Sequence, residues 1–132
     1  MEDVKCLSSG DRRLQKNKSE KTGKMYDAFR NRLMFTIKDV RDRVIAFGGR
    51  ALDDSKPKYI NSPDTVVYNK GRHLFAMNIA KKCGEKTIML VEGYMDTISL
   101  HQRGVHNVVA SLGTAMTEGQ GRLLKGFEKV II

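Results

Sequence analysis

The chain is short of acid. Its 132 residues hold 15 Asp and Glu against 24 Lys and Arg, a formal charge of +9 with a pI near 9.7. That balance favours nucleic acid or another polyanion as partner, although many basic domains bind neither. Cysteine is scarce as well. Cys6 and Cys83 have neither metal-ligand spacing nor the density of a secreted disulfide scaffold, so both read as reduced thiols. No apolar run approaches the roughly 18 residues that cross a bilayer, and no charged-then-apolar signal opens the chain. The expectation is a cytoplasmic protein with no membrane partner. His73, His101 and His106 lack a mutual ligand spacing and read as exposed side chains. No phosphate-loop lysine follows Gly48-Gly49, and Ser111 lies outside a Gly-x-Ser-x-Gly context, which removes support for a nucleophilic hydrolase.

A core is available nonetheless. At 40% hydrophobic residues, a chain of this length can form one compact domain or two small subdomains. Met34, Met77 and Met89 fall within apolar patterns and read as core fillers. Residues 8 to 25 form a lysine-rich polar stretch with only Leu14 apolar, read as a loop between short strands. Leu33 to Ile37 and Val44 to Phe47 read as a hairpin across the charged turn Lys38 to Arg43, with Gly48-Gly49 breaking the second run. A polar segment from Asp53 to Asn69 holds both prolines and leads to a helix over about Gly71 to Lys82, which Gly84 stops. Beyond it the pattern becomes strand 86–91, helix 95–103, strand 107–111, helix 118–126 and strand 129–132. A parallel sheet with right-handed crossovers is the economical arrangement, and the fold class is α/β. Thr117 with Gln120 reads as a capping box, while Gly119 and Gly121 each weaken that helix by about 1 kcal/mol relative to Ala.

The run Val91-Glu92-Gly93-Tyr94-Met95-Asp96 carries the chemistry. Lys86 to Val91 reads as a buried parallel strand, which puts Glu92 at its C-terminal edge, where open α/β sheets place ligands. Gly93 permits the turn into the helix. Asp96 falls in the first helical turn, near enough to Glu92 to share a divalent cation. Acids at a helix start are also favoured by the macrodipole without any metal. Basic residues supply a second chemistry: Arg50 follows the glycine pair, Lys58 and Tyr59 precede Asn61 and Ser62, and Lys70 opens a helix beside Gly71. Arginine forks and lysine point charges suit phosphate, and Tyr59 can stack on a base. For such lysines a solvated surface is the alternative. Of Arg30 and Arg32, one can instead form a structural ion pair.

Val91 to Asp96, with Ala110-Ser111-Leu112-Gly113-Thr114, resembles the TOPRIM segment of bacterial DnaG-type DNA primases. Upstream, Tyr26-Asp27-x-Phe29-Arg30-Asn31-Arg32-Leu33-Met34-Phe35, Phe47-Gly48-Gly49-Arg50, Pro57-Lys58-Tyr59-Ile60-Asn61-Ser62-Pro63 and Lys70-Gly71-Arg72 resemble that family's catalytic core in the family's order. The resemblance implies an α+β N-terminal subdomain over 1–84 and a partial TOPRIM βαβαβ sheet over 85–132, ending before the family's Asp-x-Asp. It implies a fragment, inactive alone, of an enzyme that makes RNA primers on DNA by metal-dependent nucleotidyl transfer. Glu92 and Asp96 would be catalytic and hold magnesium or manganese; Arg30, Arg32, Arg50, Lys58, Tyr59, Asn61 and Lys70 would meet the template and nucleotide. Zinc is implied only for the parent's N-terminal domain. Implied partners are single-stranded DNA, ribonucleoside triphosphates and, through a C-terminal domain, the replicative helicase, in a replisome-associated setting. The unfinished sheet suggests a homodimer of the fragment. Two other readings remain: a TOPRIM topoisomerase or nuclease, and a non-catalytic nucleic-acid-binding module.

Overall fold

The computed structural model describes residues 16–113 and 115–132, so Cys6, Leu14, Thr114 and the start of the polar stretch lie outside the described residues. The described strands and helices run in the order β1 Lys16–Lys18, β2 Met25–Asp27, β3 Arg32–Lys38, β4 Val44–Ala51, β5 Tyr59–Asn61, a 3-10 turn Lys70–Arg72, α1 Met77–Lys82, β6 Thr87–Val91, α2 Tyr94–Gln102, β7 Val108–Ala110, α3 Glu118–Leu124 and β8 Lys129–Ile131. The class is α/β. Packing gathers the chain into two compact units, one of residues up to Thr36 with Ala46–Ser62, the other of Ile37–Ile45 with Pro63–Ile132.

In the first unit the described end of the polar stretch is itself paired structure. Lys16–Lys18 lies antiparallel to Met25–Asp27, closed by a turn in which Ser19 donates to the Lys24 carbonyl and Gly23 takes φ +65. β3, β4 and β5 make a three-stranded sheet in that order. The strand does not break at Gly48-Gly49; β4 continues through both and pairs antiparallel with β5, Gly48 opposite Asn61 and Gly49 opposite Ile60. What Gly49 supplies is room, because a Cβ there would stand 2.7 Å from Phe29 Cδ1. Phe29 and Met34 form the buried centre of this unit, with Ala28, Phe47 and Ile60 against them.

The second unit is built on a three-stranded parallel sheet with β6 between β7 and β8. Ile88 and Leu90 of β6 and all of β7 are buried, while β8 is exposed throughout. The core joins Leu74, Met77 and Ala80 to Ile88, Leu90, Val109 and Leu124. Of the methionines read as core, Met34 and Met77 are buried and Met89 is half-buried. The helix expected from Gly71 is interrupted. Phe75 exchanges backbone hydrogen bonds of 2.9 and 3.2 Å with Ala110, and Ala76 turns left-handed at φ +63 before α1 begins. Gly84 at φ +75 does follow the end of that helix, and Gly104 at φ +85 follows α2. The hairpin tip, also in this unit, is pinned to α1: the Asp42 carboxylate accepts from Asn78 Nδ2 at 2.7 Å and pairs with the Lys82 ammonium. Those two partners hold Asp42 below the usual carboxylate range, Lys82 first.

The histidines are less exposed than their spacing implied. His101 is half-buried and its Nε2 donates to the Val108 carbonyl at 3.0 Å, with His106 edge-on at 5.6 Å between ring centroids. His73 is half-buried against Tyr68; His106 is exposed. Burial lowers the pKa of His101, and nearby His106 lowers it further, against the Val108 bond that raises it. The folded imidazole therefore resists a proton that the unfolded chain accepts. Stability should be unaffected by this group above the ordinary histidine value and fall as pH drops from about 7 to 5. Urea melts across that range are expected to show the fall, flattened in His101→Gln.

The two glycines of α3 differ in kind. Thr117 and Gln120 form the expected capping box. A Cβ on Gly119 would meet the Gly71 carbonyl oxygen at 2.6 Å, whereas one on Gly121 would meet only Met116 Cε at 3.8 Å. Gly121→Ala should raise stability by up to about 1 kcal/mol, and Gly119→Ala should lower it by about 1–3 kcal/mol. Equal shifts in the two urea midpoints would contradict this assignment.

Candidate metal and nucleic-acid site

Glu92 follows the last residue of β6, and Gly93 caps α2 with an ordinary extended backbone, φ −134 and ψ 162. The turn therefore needs no special dihedral. Glycine is used here for space: a Cβ would lie 3.3 Å from Asp96 Oδ2, so the Asp96 carboxylate folds back over the start of its own helix. Thr97, fully buried, holds the corner by donating from N and Oγ1 to the Gly93 carbonyl at 3.2 and 3.3 Å. The helix buries Tyr94 and Thr97 and leaves Ile98 and Leu100 half-buried. Glu92 and Asp96 are both exposed. Neither carboxylate has a hydrogen-bond or ion-pair partner among the described residues, and no third His, Cys, Asp or Glu completes a metal cluster there. Two hard oxygen donors fit magnesium or manganese, which keep most of their waters.

Lys70 lies in the same unit, exposed, on the short turn before α1. The other expected contacts belong to the first unit. Arg50 stands directly opposite Tyr59 in the β4–β5 ladder, close enough for side-chain contact, and Asn61 shares the Tyr59 face by strand alternation. The Nε of Arg50 is buried with no hydrogen-bond partner among the described residues. Lys58 is exposed just before β5. Arg32 donates from Nη1 to the Lys58 carbonyl at 3.2 Å, so it braces that loop through main chain rather than through an ion pair. Arg30 is exposed, its guanidinium 5.5 Å from the centre of the Tyr26 ring. Ser62 is buried, exchanging hydrogen bonds with Phe47: Phe47 N donates to its Oγ at 3.0 Å and its own N donates to the Phe47 carbonyl.

Two features escaped sequence reasoning. Lys18, Lys21, Lys24, Tyr26 and Arg30 surround an open cavity of about 610 Å³ at the β1–β2 turn; the lysines flanking Gly23 were its only signal. Asp53 organises the loop leading to Lys58. Bonds from Ser55, then from Asn31, whose Nδ2 lies 2.7 Å away, bring its pKa down to about 2.

The family model described as DNA primase catalytic core, N-terminal domain, matches residues 8–81. The chain belongs to the DNA primases. A Toprim-like model matches residues 89–132 of this primase segment. It is 56% identical over 122 residues to a DNA primase of Clostridium acetobutylicum, covering 90% of this chain and 20% of that protein. With a DNA primase of Pseudomonas aeruginosa it shares 56% over 99 residues, 74% of this chain and 15% of that one. The chain thus spans about a fifth or less of the curated primases it matches. A primase domain crystal structure from P. aeruginosa superposes with a TM-score of 0.81 at 49% identity, covering 87% of this chain and 37% of that one. A DnaG primase catalytic domain bound to single-stranded DNA superposes at 0.79 with 43% identity, covering 87% and 38%.

With two exposed acids and no third, this segment should bind divalent metal weakly, in the millimolar rather than micromolar range. Manganese should broaden the NMR signals around Glu92 and Asp96 first, and Glu92→Gln should abolish that selectivity. Micromolar magnesium binding by calorimetry would mean that the pair forms a complete site.

Proposed function

We propose that this segment serves the DNA-templated synthesis of short RNA primers for replication, as part of a primase that transfers nucleotidyl groups. One observation carries the reading: Glu92 at the C-terminal end of the central strand and Asp96 in the helical turn after it have no partner among the described residues to neutralise them, inside the part that the Toprim-like model matches. Bound there, magnesium or manganese supplies charge neutralisation at phosphate and activation of a hydroxyl nucleophile. Glu92 and Asp96 would hold the ion, with water completing its shell. Arg50, Lys58 and Lys70 bind the phosphates of single-stranded DNA and ribonucleoside triphosphates, and the exposed Tyr59 stacks on a base. Arg30 and Asn61 add polar contacts, and Arg32 steadies the Lys58 loop.

The strand bound to the similar DnaG catalytic domain supports a DNA template. In this reading residues 1–84 supply the template contacts and 85–132 the metal ligands, a division by role and not by packing, since 63–84 pack in the unit that carries Glu92 and Asp96. A zinc site and a helicase partner belong to the proposal for a whole primase acting at the replisome, and to none of these residues.

Glu92→Gln in a full-length primase carrying this segment should abolish primer synthesis and leave single-stranded DNA affinity nearly unchanged. Retention of more than about a tenth of the activity, a barrier change of only ~1.4 kcal/mol, would remove Glu92 from the reacting set. Strand binding indifferent to metal, together with undiminished synthesis, would favour a binding module.

A further inference from the structure

Lys70 is held from both sides by side chains, one from its own loop and one from 50 positions onward. Its N–H donates to Asp64 Oδ1 at 3.1 Å, and its carbonyl accepts from Gln120 Nε2 at 2.8 Å. The same Nε2 donates to the His73 carbonyl at 3.1 Å, so one amide ties together the two ends of the Lys-Gly-Arg turn. Gln120 is 1% exposed, and its Oε1 accepts from Thr117 N at 3.1 Å, so both donors and one acceptor site of the amide are used. Thr117 Oγ1 donates to the Gly71 carbonyl, and Gly119 lacks the Cβ that would collide with that same oxygen. Two side chains at the start of α3 therefore grip a three-residue turn, and Gly119 leaves room for it.

The turn buries no residue of its own, so apolar packing does not explain why a buried glutamine is spent on it. What the grip does fix is the main chain under Lys70, whose ammonium is exposed and has no ion-pair partner among the described residues. A lysine on a loose turn loses backbone as well as side-chain freedom when it captures a ligand; on a fixed turn it loses only the second.

We propose that Gln120, assisted by Thr117 and Gly119, is the positioning residue for Lys70, holding its ammonium to meet a phosphate oxygen of bound nucleic acid or nucleotide. The proposal rests on the reading of Lys70 as a phosphate contact. It is tested on the 132-residue chain by binding a fluorescent single-stranded oligodeoxynucleotide and, separately, magnesium-ATP across a salt series. The variants are Lys70→Ala, Gln120→Leu and Thr117→Val, and each of the last two combined with the first. Circular dichroism melts report whether each is folded; Thr117 is exposed, so its variant serves if Gln120→Leu unfolds.

Lys70→Ala should lower the log–log salt slope on the oligonucleotide by roughly 0.7. Gln120→Leu and Thr117→Val should each lose part of that same increment, and neither should lower the slope further once Lys70 is Ala. A response confined to magnesium-ATP, with the same non-additivity in its affinity, supports the positioning and assigns the phosphate to nucleotide instead of strand. If Lys70→Ala weakens binding while the other two variants leave it intact, or add to it in full, the positioning is overturned and the role of Lys70 stands. If Lys70→Ala changes neither probe, the phosphate contact falls, and the positioning with it.

Discussion

The parallel pairing of β6 with β7 is the constraint on which the second unit depends. Val91 stands level with Ala110, so both strands end together and their following segments leave from one edge. Glu92 emerges from the first end and the Ser111 loop from the second, joined where Ser111 N donates to the Val91 carbonyl. Parallel strands cannot be linked by a tight turn, so each end must feed a helix. Those helices then do the positioning: α2 carries Asp96, and α3 grips the turn of Lys70. Because Ala110 also bridges Phe75, the segment preceding α1 is brought to the same edge, and Phe75 packs on Tyr94 at 4.8 Å between rings.

Glycine recurs through this molecule as a means of close approach more than as a means of turning. Gly49 admits Phe29, Gly93 admits the Asp96 carboxylate and Gly119 admits a carbonyl of the Lys70 turn. None of the three takes the left-handed dihedral that glycine alone favours. Among the described glycines the positive φ values lie elsewhere, at Gly23, Gly84 and Gly104, where chain direction changes.

That distinction explains which features could be read from residues alone. The end of α1 at Gly84, the capping box at Thr117 and the strand of β6 are local: their signals lie within a few residues of the structure they specify. The placement of Glu92 after the strand and of Asp96 in the first helical turn was legible for the same reason. The interruption before α1 was not, because its cause is Ala110, thirty-odd residues onward. The continuation of β4 through two glycines goes with its pairing to β5, more than ten residues onward, and the main-chain role of Arg32 depends on a carbonyl 26 positions away. Nothing in the neighbourhood of Gln120 signalled that its amide reaches residues 50 and 47 positions earlier. Helix propensity, by contrast, treated Gly119 and Gly121 alike, since it counts residues and not what they face.

Arg50 carries a consequence of its own. A donor buried without an acceptor burdens the folded state by about 1–3 kcal/mol, and among the described residues Arg50 Nε has none. Any oxygen that reaches it removes the burden, so part of the free energy of capture comes from relief of the protein and not from the ligand. By linkage, the β4–β5 ladder on which Arg50 faces Tyr59 is worth more when that place is filled, and its amide hydrogens should exchange more slowly in the occupied state than in the empty one.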